Sequence, residues 1–300
     1  MKKMFLFLLL FISLSIALFA DNISESGGQF LNLGIGAKAI SLGEAYVASC
    51  DDVTSIYWNP AGVVFPLNKN VMFIHGSSFA DITYDWLGYV HPTAYGGLGF
   101  AIQYINYGTL EKLDDEGNQL GIFHPADKVI SVSYGHIFKL FAAGVTGKYI
   151  ESVITKSASA YALDFGLQYS LTDFIQLGVV GRNYVSTKIK YKNVADELAK
   201  SLDFGISYFG LEGLLLELDI KRSSDEVFTL NTGVEYKTKI SHFSEAAIRA
   251  GYNTRIKEVD GLLGISIGFG LKFKVYTIDY VYKPIVELGD THFLSFGIEI

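Results

Sequence analysis

Three hundred residues fit one large domain or two ordinary ones, and half are apolar against 18% charged, with mean hydropathy +0.29. That balance excludes a disordered chain, and a single cysteine excludes a disulfide scaffold or a cysteine-based zinc site. The net charge is −7 and no basic patch occurs, which excludes nucleic acid as a partner.

The chain opens Met1-Lys2-Lys3 and then runs apolar from Met4 to Ala20, broken only by Ser13 and Ser15. Two positive charges, a short apolar core and a small residue before Asp21 predict a secretory signal peptide over residues 1–20. The core is too short for a transmembrane anchor. Residues 21–66 do not alternate. Within them Ala39, Ile40, Leu42, Tyr46 and Val47 predict a short amphipathic helix. Asn59-Pro60-Ala61 predicts a second helical turn, with Asn as N-cap and Pro preset for the first helical position. Such a segment ahead of a barrel is suited to folding inside the lumen as a hatch. Cys50 reads as a small buried residue without a role.

From residue 67 to the end, period-two patterning dominates. Leu98, Phe100, Ile102 and Tyr104 oppose Gly97, Gly99, Ala101 and Gln103. Tyr161, Leu163, Phe165, Leu167 and Tyr169 oppose Ala160, Ala162, Asp164, Gly166 and Gln168. Ile265, Ile267, Phe269 and Leu271 oppose Gly264, Ser266, Gly268 and Gly270. A helix cannot segregate residues in this way, because its faces repeat at 3.6. The second face is Gly, Ala and Ser with scattered charges, unlike the Lys, Glu and Thr of a water-exposed sheet. Large apolar residues outside and small or polar ones inside is the arrangement of a barrel in lipid.

Fourteen strands are predicted, near 71–78, 83–91, 97–107, 128–138, 140–150, 158–169, 174–183, 201–209, 213–221, 228–237, 245–252, 262–272, 274–283 and 291–299. The long, charged connections 108–127 and 184–200 fall on one end and the short turns on the other, as in outer-membrane barrels. Tyr104, Tyr107, Tyr134, Phe138, Tyr149, Tyr280 and Tyr282 near strand ends supply interfacial girdles. The closing segment alternates Leu294, Phe296, Ile298 and Ile300, like a terminal strand read by outer-membrane insertion machinery. The expected fold is thus all-β: a transmembrane antiparallel barrel over 67–300 with a partly helical hatch over 21–66.

One stretch carries a resemblance. Gly36-Ala37-Lys38-Ala39, Leu42-Gly43-Glu44-Ala45-Tyr46-Val47-Ala48, Asp51-Asp52 and Tyr57-Trp58-Asn59-Pro60-Ala61-Gly62 resemble the N-terminal signature of FadL-like outer-membrane proteins. The pattern is most similar to the PorV/PorQ-type branch. Ser41 and Glu44 depart from it where small glycines are usual, and so does Cys50. The resemblance implies a fourteen-stranded barrel whose hatch motif includes Gly36, Ala37, Gly43, Asp51, Asp52, Trp58, Asn59, Pro60 and Ala61. It also implies one of two functions: passive uptake of long-chain fatty acids and other hydrophobic compounds, or docking of a protein secretion complex or surface protein.

Two catalytic-looking strings are decoys. Gly264-Ile265-Ser266-Ile267-Gly268 fits a nucleophile elbow but lies in a continuing strand pattern. Gly34-Ile35-Gly36-Ala37-Lys38-Ala39 fits a dinucleotide fingerprint without its strand–helix context. His75, His91, His124, His136, His242 and His292 show no metal-ligand spacing, and His75-Gly76-Ser77-Ser78 alone does not make a triad. The sequence therefore predicts no catalytic residue, cofactor or metal. Extending each alternation places Lys148, Asp164, Arg182, Asp203, Glu217, Asp219, Glu235, Arg249 and Asp279 on the inward face. They are expected to pair, either pinning the hatch to the wall or orienting the polar head of a ligand. The expected surroundings are the lipid bilayer of a diderm outer membrane. The expected partner is a hydrophobic small molecule, with a secretion-system or surface protein as the alternative.

Overall fold

The computed structural model describes residues 27–300 except 79–81, 115, 155, 192–193, 225, 256–263 and 285–289. The leader expected over 1–20 lies outside the described residues. In chain order the strands are β1 (Asn70–Ser77), β2 (Thr83–Thr93), β3 (Gly96–Asn106), β4 (Leu110–Leu113), β5 (Gln119–Phe123), β6 (Ala126–Phe138), β7 (Phe141–Val153), β8 (Ser157–Ser170) and β9 (Ile175–Ser186). They continue with β10 (Ile189–Tyr191), β11 (Val194–Asp196), β12 (Ser201–Leu211), β13 (Leu214–Ser223), β14 (Glu226–Ser241), β15 (Ser244–Asn253), β16 (Ile265–Phe273), β17 (Tyr276–Lys283) and β18 (Thr291–Glu299). Fourteen of them close into one antiparallel barrel, sealed where β1 pairs with β18 from Asn70↔Glu299 to Ser77↔His292. The remaining four form two small hairpins, β4–β5 and β10–β11, inside the long connections 108–127 and 184–200. Pairings of only three to five residues carry too little apolar alternation to be read from sequence.

Side chains sort by parity as a lipid-facing barrel requires. Phe100, Leu167 and Phe269 are 45%, 39% and 52% exposed, whereas their chain neighbours Ala101, Gln168 and Gly268 face inward and are buried. The inward face is not uniformly small, however. Ile105, Val129, Ile150, Ile74, Trp86 and Val90 are buried on it, which the expectation of a small or polar lining missed. Connections 94–95, 139–140, 171–174, 212–213, 242–243 and 274–275 make one end of the barrel tight. The other end carries the long connections, including those holding β4–β5 and β10–β11.

The N-terminal segment runs along the bore between these ends. At the long-connection end, Gly27 N donates to Glu197 O, and Ala199 N donates to Gly27 O. At the tight end the segment passes Phe65 and turns into β1. Its regular pieces are short: a helix Ala37–Ser41, a helix Ser55–Trp58, and 3-10 turns Gln29–Asn32 and Pro60–Val64. The amphipathic helix expected to reach Tyr46 and Val47 stops at Ser41. Gly43 (φ 68°) and Glu44 (φ 67°) follow in the left-handed region, which ends the helix. Asn59 behaves as a cap, its Oδ1 accepting from Ala61 N at 3.1 Å.

Candidate functional site

An irregular chain inside a barrel exposes amides and carbonyls that no ladder satisfies, so the wall must supply partners. It does so with inward side chains from around the bore. Ser295 Oγ accepts from Ala37 N at 2.9 Å, and Ser266 Oγ donates to Ile40 O at 2.7 Å. Asp219 Oδ2 accepts from both Tyr46 N and Val47 N, at 2.8 and 2.9 Å. Gln168 Nε2 donates to Ala48 O and Cys50 O, Thr146 Oγ1 to Ile56 O, and Asn231 Nδ2 to Glu44 O. In return Asn59 Nδ2 reaches the wall carbonyl of Leu167 at 3.1 Å. Ser266, part of the elbow-like string, is thus a strand residue holding the segment's backbone.

Glycines set how close the two can approach. A Cβ on Gly251 of β15 would lie 1.9 Å from Gly43 N, and one on Gly144 of β7 would lie 2.2 Å from Pro60 O. Ser41 keeps this closeness despite standing where glycine is usual: a Cβ on Gly268 would meet Ser41 Cβ at 2.5 Å.

The inward charges come together in separate groups. Lys148 Nζ lies 2.7 Å from Asp164 Oδ2, while Asp164 Oδ1 accepts from Asn183 N at 2.9 Å. Asn183 has φ 59° and sits where the β8–β9 register shifts between Leu163 and Phe165. Arg182 pairs with Asp203 and donates through Nη2 to Trp58 O at 2.7 Å. Arg249 bridges Glu235 (2.5 Å) and Asp279 (2.7 Å). Glu217 and Asp219 are buried on β13, and among the described residues no cation stands in ion-pair contact with either. Sequence parity gave the face of each residue, not its partner.

Of the N-terminal motif, Gly36 adopts φ 87° at the start of its helix, and Ala37 and Ala61 are fully buried. Trp58 Nε1 donates to Ile35 O at 2.8 Å. Lys38 Nζ lies 2.9 Å from Asp51, and the Tyr46 hydroxyl lies 3.0 Å from both Asp51 and Asp52. Burial opposes the charge on Lys38, yet Asp51 and Asp52 outweigh it and hold the ammonium's pKa above its usual range. Burial, reinforced by Asp52 and Asp51, pushes the Cys50 thiol well up, leaving it a protonated and inert group.

Sequence reasoning missed two features. The first is an apolar cluster at the long-connection end, where Phe30 and Leu31 pack with Ile105, Val129, Ile150, Ile189 and Leu198. Parity carried through to Ile105 and Ile150 would have found its wall. The second is a charged cavity of about 370 Å³ at the tight end, lined by Lys38, Asp52, Glu235, Arg249, Lys272 and Glu299 among others. Between them, beside Tyr57, Trp86, Val129 and Asp164, lies a pocket of about 20 Å³, room for a water-sized molecule.

The histidines stand apart from all of this. His75 pairs with Asp85 at 2.7 Å on the outward face, and His292 lies 2.7 Å from the Tyr280 hydroxyl near the same end. His91 and His136 sit near the tight end, bonded to Tyr89 and to Tyr95 O. Among the described residues, no three His, Cys, Asp or Glu converge as metal ligands.

Against solved structures, the chain is similar to the Pseudomonas putida toluene transporter TodX, at 11% identity and TM-score 0.59, over 88% of this chain and 97% of that one. It is also similar to the CymD monoaromatic hydrocarbon channel, at 11% identity and TM-score 0.57, over 89% and 98% of the two chains. These likenesses establish a shared barrel fold. No family model matches the chain, and no curated protein matches it.

Proposed function

We propose that the protein is an outer-membrane channel for passive entry of hydrophobic small molecules such as long-chain fatty acids. Residues 1–20 then serve as the export signal, 21–66 as the hatch and 67–300 as the barrel. The observation that carries this reading is the apolar cluster inside the bore. Ile105, Val129 and Ile150 are buried inward-facing aliphatics on the wall, and Phe30 and Leu31 of the N-terminal segment occupy the space against them. A polar-solute pore would line this level with water-binding groups. The likeness in fold to proteins described as a toluene transporter and a monoaromatic hydrocarbon channel supports it further.

In this reading the long connections face outward and the tight turns face the periplasm. A ligand captured among loops 108–127 and 184–200 competes with Phe30 and Leu31 for the aliphatic wall. Its binding shifts the segment toward a displaced arrangement, by as much as its differential affinity for the two allows. The ligand then leaves through the charged cavity at the tight end. No step draws on an energy source.

The test is uptake of labelled fatty acid into liposomes holding the purified barrel. Phe30→Ala with Leu31→Ala, which loosens the occupant, should speed uptake. Entry no faster than into empty liposomes would count against transport. A second reading, a non-transporting scaffold as in the PorV/PorQ branch that the N-terminal signature resembles, is favoured by one observation. The segment is tied to the wall around the bore, and the pocket between them near Tyr57 and Trp86 is only about 20 Å³. Recovery of a stoichiometric protein partner together with absent uptake would select it.

A further inference from the structure

Most inward carboxylates have a cation: Asp164 has Lys148, Asp203 has Arg182, and Glu235 and Asp279 share Arg249. Glu217 on β13 departs from this rule. It is 4% exposed, and among the described residues neither of its carboxylate oxygens has a well-formed hydrogen bond. Its register partner across β12–β13 is Ser207, fully buried and with its hydroxyl also unpartnered. Two residues along the same face, Asp219 holds the amides of Tyr46 and Val47 through Oδ2 and leaves Oδ1 unpartnered. Ser49, next along the N-terminal segment, sets its hydroxyl against the Glu217 carboxylate as a poorly aligned donor. Half of the unpartnered buried side-chain atoms among the described residues belong to these four side chains.

A buried carboxylate without a cation in close contact is costly. Lys38, whose field reaches Glu217, is engaged with Asp51 at 2.9 Å. We propose that Glu217, Asp219, Ser207 and Ser49 bind a hard divalent cation of the calcium class, cross-linking the N-terminal segment to β12–β13. The donors are all oxygens, which suits calcium or magnesium and not a thiophilic metal. Two carboxylates match the charge of one divalent ion. Hydroxyls replace the third acidic ligand of a stronger site, and the shell falls short of the usual six to eight oxygens. Affinity is therefore expected in the weak class, half-saturating at roughly 10⁻⁴–10⁻³ M. Because Ser49 and the Asp219-bound amides belong to the segment, the ion acts as a lock on it.

The test uses the purified full-length protein in detergent, stripped with chelator and then given calcium chloride. Hydrogen exchange at the Tyr46–Cys50 amides is the readout. At about ten times the half-saturating concentration, calcium should slow exchange there by on the order of tenfold. Glu217→Gln should abolish that slowing, and Ser207→Ala should raise the calcium concentration needed several-fold. If Glu217→Gln does not fold, Ser207→Ala carries the test alone. Exchange that is indifferent to calcium overturns the proposal. So does equal slowing by sodium chloride at matched ionic strength, or a full calcium response in a folded Glu217→Gln.

Discussion

Lys283 Nζ lies 2.9 Å from Oε1 of Glu44, tying the end of β17 to the turn of the N-terminal segment. Glu44 stands in the left-handed region at φ 67°, a position that costs a residue with a Cβ about 1–2 kcal/mol. The ion pair offsets that strain and accounts for a glutamate where the resembled signature has glycine. Burial alone would push the Glu44 carboxyl up, but Lys283 and Arg255 overcome it and hold its pKa below the usual glutamate range.

A pH dependence follows from this pair. With the folded value below the unfolded one, the contribution is full above about pH 4.3 and is lost as pH falls through the depressed value. Amide protection at Leu42–Tyr46 should therefore decay on acidification in that window. Glu44→Gln should lose roughly 1.5–3 kcal/mol of protection at neutral pH and show a flatter acid limb. An acid limb identical to the parent's would rule the pair out as its source.

Arg249 is shared by two buried carboxylates, so removing it leaves both uncompensated. Arg249→Met should lower the unfolding temperature of the barrel, at a cost of about 3–5 kcal/mol. Adding Glu235→Gln and Asp279→Asn should restore much of the loss. A triple variant no better than the single one would refute the charge explanation.

Close approach makes a sharper contrast between two glycines. A Cβ on Gly251 meets the Gly43 backbone at 1.9 Å, whereas one on outward-facing Gly147 meets only Leu163 at 3.7 Å. Gly251→Ala should displace the segment and sensitise it to protease, and Gly147→Ala should change nothing measurable. Equal behaviour of the two would show that the segment does not press against β15.

Cys50 reports on the pinning of the segment, since it is fully buried and its thiol is pushed up. Asp219→Ala orphans the Tyr46 and Val47 amides, each at a cost of about 1–3 kcal/mol. Maleimide labelling of Cys50 in the folded protein should accelerate accordingly. Labelling as slow as in the parent would mean that other wall contacts suffice.

Much of the barrel was legible because period-two alternation is a local property. Leu98 to Tyr104 and Tyr161 to Tyr169 declare their outward face within one strand. The same parity set the inward side of Lys148 and Arg182. It could not say that Lys148 meets Asp164 or that Arg182 meets Asp203, because pairing depends on register and on the bulge at Asn183. The helix that stops before Tyr46 was misjudged for a different reason: Glu44 is an ordinary helix former held in a left-handed conformation by a residue 239 positions away. The apolar wall around Ile105 escaped notice because its sign is opposite to the bore's average, and only the packing of Phe30 against it reveals why.

The seam between β1 and β18 bears on how the molecule is made. Asn70 pairs with Glu299, so the ring cannot shut until the last residues have been delivered. The stretch from Gly27 to Phe65 runs through the middle of that ring and enters β1 directly. It must already be in place, or be drawn through the opening, when the first and last strands zip together. Biogenesis is thus obliged to wrap the wall around its own beginning, and the wall's inward hydroxyls, amides and carboxylates form the template on which that beginning settles.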